Sequence, residues 1–123
     1  MSRKTVLLVE DDEVLGEMYR ARFEQESFAL VFVQDAEAAQ VKLKAGGVDL
    51  MLLDIMLPGM SGLDLLHWVR EQDKLKELPV FLLSALSTDE DKMRGKELGA
   101  TGYLAKSENT PEQIVEVVKQ TLG

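Results

Sequence analysis

The chain of 123 residues contains no cysteine, one histidine, three prolines and one tryptophan, and aromatic residues make up only 6% of it. Without cysteine there are no disulfides, no thiol nucleophile and no thiolate metal site, which fits a reducing, cytoplasmic setting. Longer apolar runs are also missing. The longest span only a few residues, far short of a membrane crossing, and no signal-peptide pattern opens the chain. Basic residues are in the minority, 14 against 22 acidic ones, giving a formal net charge of −8. Such a surface repels a phosphate backbone, so direct nucleic-acid binding is not expected. Solubility alone explains much of this acidity, but part of it is clustered.

What the chain does have is a regular alternation. Val6 to Val9, Ala29 to Val33, Leu50 to Leu53 and Val80 to Leu83 are short, continuous apolar runs, as expected for parallel strands covered on both faces. Thr101 to Ala105 has a shorter apolar stretch, with glycine at 99 and 102, which predicts an edge strand. Segments with helical spacing lie between them. Val14, Leu15, Met18, Tyr19 and Phe23 mark the first; Ala36, Ala39 and Leu43 mark the second, closed by Gly46 and Gly47. Leu63, Leu66 and Val69 mark the third. The fourth starts at Ser87 and Thr88, with Glu90 and Asp91 placed for a capping box, and stops at Gly99; Met93 and Leu98 are its few apolar anchors. In the fifth, Thr110, Pro111 and Gln113 supply an N-cap, a first-turn proline and a capping glutamine, ahead of a stripe of Ile114, Val117, Val118 and Leu122.

Five β-α units predict one α/β domain over residues 1–123, a doubly wound parallel sheet with right-handed crossovers and helices on both faces. Ligands of such sheets bind beyond the carboxyl ends of the strands. Four strands deliver polar residues there: Glu10, Asp11 and Asp12 after the first, Asp54 after the third, Ser84 after the fourth and Lys106 after the fifth. Each has an ordinary alternative. Asp12 can be a helix N-cap, Ser84 a satisfied strand-end hydroxyl and Lys106 a solvated lysine. Their coincidence at one edge points to a site. Two carboxylates roughly 4 Å apart repel by about 4 kcal/mol at an effective dielectric near 20, so Glu10, Asp11 and Asp54 require protonation or a cation. Hard oxygen ligands suit Mg²⁺, with Mn²⁺ as a substitute, and its remaining positions suit phosphate oxygens. A phosphoryl acceptor needs a nucleophile, a cation and donors for the phosphoryl oxygens, and Asp54, the carboxylate pair, Ser84 and Lys106 supply candidates for each.

The ordered segments Leu7-Leu8-Val9-Glu10-Asp11-Asp12, Leu52-Leu53-Asp54-Ile55-Met56-Leu57-Pro58-Gly59-Met60-Ser61-Gly62, Leu82-Leu83-Ser84-Ala85 and Gly102-Tyr103-Leu104-Ala105-Lys106 resemble the receiver domain of two-component response regulators, across essentially the whole chain. The resemblance implies strand order 2-1-3-4-5 in a flavodoxin-like sandwich. It implies Asp54 as phosphoacceptor and Glu10, Asp11, Asp54 and the Met56 backbone carbonyl as metal ligands. Ser84 and Lys106 match the residues that hold the phosphoryl group, and Ser84 and Tyr103 the switch pair; the ordinary alternative for Tyr103 is a half-buried edge-strand tyrosine. The implied partners are a sensor histidine kinase or histidine phosphotransfer protein and a downstream protein. Phosphorylation would alter the face of the fourth helix, fifth strand and fifth helix, in a monomer or a phosphorylation-dependent dimer. The domain would catalyse only its own phosphorylation and dephosphorylation.

One departure stands out. Receivers usually carry proline after the lysine, in a cis bond, and here Ser107 follows Lys106. A non-proline cis bond costs about 2.5–4 kcal/mol, so a trans bond and a different loop path are expected, with Lys106 still reaching the site. Three alternatives compete. A haloacid-dehalogenase-type enzyme shares the aspartate nucleophile but needs a second aspartate where Met56 stands. A flavodoxin-like cofactor binder shares the sheet, yet a carboxylate cluster repels a flavin phosphate. A pseudo-receiver would bind partners without phosphorylation. Trp68 is read as a packing residue.

Overall fold

A computed structural model describes residues 3–85 and 88–123. Its strands are β1 (Thr5–Val9), β2 (Ala29–Val33), β3 (Leu50–Asp54), β4 (Val80–Ser84) and β5 (Gly102–Ala105); its helices are α1 (Glu13–Gln25), α2 (Ala36–Ala45), α3 (Gly62–Glu71), α4 (Asp89–Glu97) and α5 (Pro111–Leu122). A single 3-10 turn, Asp73–Leu75, follows α3. All strand pairs are parallel and the order is β2-β1-β3-β4-β5. The expected architecture and strand order are therefore those observed.

Continuous apolar strands serve two cores at once, because side chains alternate across the sheet. Val6 and Leu8 of β1, Leu50 and Leu52 of β3 and Leu83 of β4 join Tyr19, Phe23, Ile114 and Val118 from α1 and α5 on one face. Leu7, Val9, Met51, Leu53 and Leu82 join Ala36, Ala39, Leu43, Leu65, Leu66 and Val69 from α2 and α3 on the other. Every residue of β3 and β4 is buried, whereas β5 buries only Ala105, as an edge strand does.

Helix starts follow the sequence signals closely. Asp12, Asp35, Ser61, Thr88 and Thr110 are N-caps, each accepting a backbone N–H three residues on. The Thr110–Gln113 capping box forms in full, with Pro111 in the first turn. Around Thr88 only the threonine half forms, and Ser87 lies outside the described residues.

The buried stripes needed correction. In α1, Val14 is 80% exposed and Met18 is exposed too, so that the helix seats itself through Gly16, Tyr19 and Phe23. Leu65 joins the buried face of α3, where Leu63 is half-buried against the core, and Val115 joins that of α5, where Val117 and Leu122 are half-buried. Met93 is 62% exposed and does not anchor α4. That helix buries Gly95 alone, where a Cβ would sit 2.4 Å from Leu82 Cδ1. A helix whose single large apolar residue faces solvent approaches the sheet through the one residue that has no side chain.

Candidate functional site

The site is built on three strand ends. Glu10 follows β1, and its N–H donates to Val33 O (3.0 Å), which fixes its backbone to the end of β2. Asp54 ends β3, and the next residue continues the ladder through Ile55 N–H to Leu83 O (3.1 Å). The chain then turns so tightly that Gly62 N–H reaches Ile55 O (2.9 Å). A Cβ on Gly62 would lie 2.2 Å from Asp54 O, so only glycine lets α3 begin against the acidic strand end. Lys106 follows β5, and its N–H donates to Ser84 O (2.8 Å).

These placements bring Glu10, Asp11 and Asp54 together, with one carboxylate oxygen from each within 4.8 Å of the others. Glu10 and Asp54 are buried and Asp11 is exposed. Each buried carboxylate is oriented twice. Asp54 Oδ1 accepts from Met56 N–H (3.0 Å) and Oδ2 from Lys106 Nζ (2.9 Å). Glu10 Oε2 accepts from Asp12 N–H (3.2 Å), while Oε1 accepts from Lys106 Nζ. The Lys106 side chain, 17% exposed, thus bridges the buried acids. The cation that the carboxylate crowding demanded is supplied partly by the protein itself.

The electrostatics follow from this geometry. Burial raises the Glu10 carboxyl above its usual range, with Asp54 adding to the rise and the Lys106 bond opposing it. Burial pulls Lys106 down, but the hydrogen bonds to Glu10 and Asp54 outweigh it and hold the ammonium charged above the ordinary lysine value. Tyr19, buried on α1, lies in the field of the same three groups, and burial raises its phenol.

The donor set fits a hard divalent cation. Glu10, Asp11 and Asp54 each offer a carboxylate oxygen within 4.8 Å of the others, and hard oxygen donors of this kind would suit Mg²⁺. Thiolate ligands do not exist in this chain, and the sole histidine, His67, is exposed on α3 beside Glu71 at 3.7 Å. Asp12 is the cap of α1, its carboxylate accepting Leu15 N–H at 3.0 Å, which matches the ordinary reading of that residue.

Ser84 is buried at the end of β4, one residue past Leu83, the register partner of Asp54. Tyr103 is half-buried on β5, packed against the α2–α3 core, with Lys92 Nζ 5.9 Å from its ring centroid. Met56 is 63% exposed, and what it presents to Asp54 is its N–H. Trp68 packs partly against the same core, under Lys44 Nζ at 5.7 Å. No cis peptide bond occurs among the described residues, and Lys106 reaches the site without one.

Three contributors were not read from the sequence. Gln34 Nε2 donates to Asp11 O (3.2 Å), Asn109 Nδ2 donates to Ala105 O (2.9 Å), and Gly62 makes room for the acidic strand end. Only Gly62, within the Pro58–Gly62 segment, carried a local signal.

Comparison with known proteins bears directly on this edge. A model of the response regulator receiver domain matches residues 6–119. The chain belongs to that family. Among curated response regulators, PhoB, the phosphate regulon transcriptional regulatory protein of Rhizobium meliloti, is 33% identical over 112 residues, covering 91% of this chain and 49% of its own. The sensory transduction protein RegX3 of Mycobacterium tuberculosis is 36% identical over 113 residues, covering 92% and 48%. This receiver domain spans about half the length of those relatives. Among solved receivers, the chemotaxis protein CheY4 of Vibrio cholerae superposes with a TM-score of 0.90 at 26% identity, covering 97% of this chain and 98% of that one. The BeF3-activated N-terminal receiver domain of Klebsiella pneumoniae RstA gives 0.87 at 28%, covering 95% and 97%. The match is to a receiver domain, not to a dehalogenase-type enzyme or a flavin-binding protein. Among the described residues no helix is long and apolar enough to cross a membrane.

Proposed function

We propose that Asp54 accepts a phosphoryl group in a two-component or phosphorelay pathway, with Mg²⁺ or Mn²⁺ held by Glu10, Asp11, Asp54 and the Met56 backbone carbonyl. The observation that carries this reading is the convergence of three carboxylates and one lysine at the carboxyl edge of the sheet. An Asp54 oxygen attacks phosphorus, the new O–P bond forms as the P–N bond of a phosphohistidine breaks, and the imidazole leaves with the bonding pair. When bound, the metal neutralises the phosphoryl oxygens that carry the developing charge. Lys106 exchanges its Asp54 bond for one to a phosphoryl oxygen, keeping a charged partner throughout, and the Ser84 hydroxyl donates to another. Tyr103 and Ser84 form the switch. Moving them repacks the α4–β5–α5 face and makes the output a population shift on that face.

The donor in this reading is a sensor histidine kinase or histidine phosphotransfer protein, and the target is a downstream protein; both place the domain in the cytoplasm. The same face suits a phosphorylation-dependent dimer of an otherwise monomeric domain. The domain's own catalysis is confined to gaining and losing its phosphoryl group.

Incubation with phosphoramidate, with and without Mg²⁺, followed by intact mass, tests the reading. The expected result is a Mg²⁺-dependent phosphoryl adduct that is absent in Asp54→Asn. A folded, metal-binding protein that takes no label would instead be a pseudo-receiver.

A further inference from the structure

The loop after β5 lacks the proline usual in this family, and the structure shows what orders it instead. Lys106 N–H makes the last bond from β5 to β4, at Ser84 O. Alternation along the strand then turns the Ala105 carbonyl away from β4. Because β5 is the terminal strand, no further strand can satisfy that carbonyl. Two donors from the loop do so. Glu108 N–H reaches Ala105 O at 3.1 Å, closing a β-turn with Lys106 and Ser107 at its centre, and Asn109 Nδ2 reaches the same oxygen at 2.9 Å. Asn109 is half-buried, and it precedes Thr110, the residue that caps α5. The turn that carries Lys106 is therefore tied at its origin to the start of a helix with three buried apolar residues.

We infer that Asn109 is a positioning residue for Lys106: its amide locks the turn that aims the ammonium at Glu10 and Asp54. The inference rests on the phosphoacceptor reading above for its kinetic consequence and on the hydrogen bonds alone for its geometry. A lysine has four rotatable side-chain bonds, so its reach is useful only if its backbone is fixed. The amide contacts none of the carboxylates and leaves the metal ligands untouched.

The test compares phosphorylation rates with phosphoramidate in wild type, Asn109→Ala, Asn109→Asp, Lys106→Ala and the double variant Asn109→Ala/Lys106→Ala. Asn109→Asp keeps the size of the side chain but removes its donor. Both single Asn109 variants are expected to be several-fold slower, with Mg²⁺ affinity within two-fold of wild type. In the Lys106→Ala background the Asn109 change should alter the rate less than two-fold, since there is no ammonium left to aim. An undiminished loss in that background, or no loss in the wild-type background, overturns the inference. If wild type takes no phosphoryl group, the functional reading fails by itself. The positioning role is then judged in metal-free protein by the Lys106 Cε–Hε NMR signal. Movement towards an unpaired lysine in Asn109→Ala supports it, and an unchanged signal overturns it.

Discussion

Helices α4 and α5 flank the same edge strand, yet they are held by opposite means. Ile114, Val115 and Val118 bury α5 against the sheet, and a complete capping box fixes its first turn. Across β5, α4 buries only Gly95 and leaves Met93 in solvent. What keeps α4 in place is a set of small pins: Gly95 against Leu82, half-buried Leu98 at its C-cap packed on the core as expected, Lys92 over the Tyr103 ring, and Arg70, whose Nε donates to Gly99 O (3.0 Å) just beyond the helix. Removing buried apolar area from water is worth roughly 25 cal/mol per Å², so displacing α5 is expensive and displacing α4 is not. A receiver that signals by repacking this face has its fixed support and its movable part on either side of one strand.

The contrast can be broken by mutation, beginning with the largest effect. Ile114→Ala should lower unfolding free energy by about 2–5 kcal/mol in a urea titration, and a loss below 1 would mean α5 is not the anchor. Gly95→Ala gains helix propensity but forces a Cβ onto Leu82, and overpacking of this kind costs about 1–3 kcal/mol. Net stabilisation there would show that the glycine contact is no pin. Thr110→Ala should cost about 1 kcal/mol through loss of its cap to Gln113 N–H. Met93→Ala should stay within about 0.5 kcal/mol of wild type, as an exposed residue does. Native-state hydrogen exchange sharpens the picture without mutation: α4 amides should exchange through local opening well before those of α5. Equal protection in the two helices would remove the distinction.

How far the sequence reaches differs from element to element. The strands were legible because double-sided burial demands continuous apolar runs, and Asp12, Thr88 and Thr110 as N-caps because such side chains act within three residues; the caps Asp35 and Ser61 were not read. The buried stripe of α1 was less legible. Val14 and Met18 have helical spacing, but Tyr19 and Phe23 face the core, and spacing alone does not say which of two apolar arcs the sheet covers. In α4 the expected anchor Met93 is exposed, because the approach of that helix is set by Leu82, a residue of another element. The acidic residues and Lys106 were identifiable by position at strand ends. Their pairing was not, since Lys106 and Glu10 lie 96 residues apart and an ammonium can serve a phosphate or a carboxylate equally well.

By itself, then, the sequence determined the class of fold, the edge where chemistry gathers and the residue types assembled there, because periodicity, capping and strand-end chemistry act over a few neighbouring residues. Only the tertiary structure decided that Lys106 bridges Glu10 and Asp54, that Gly62 and Gly95 sit at close approaches, and that the Asn109 amide bonds the Ala105 carbonyl at the base of the Lys106 loop. Those are contacts between segments far apart along the chain, or bonds at a strand edge that appears only when the sheet is assembled, and no local pattern encodes them.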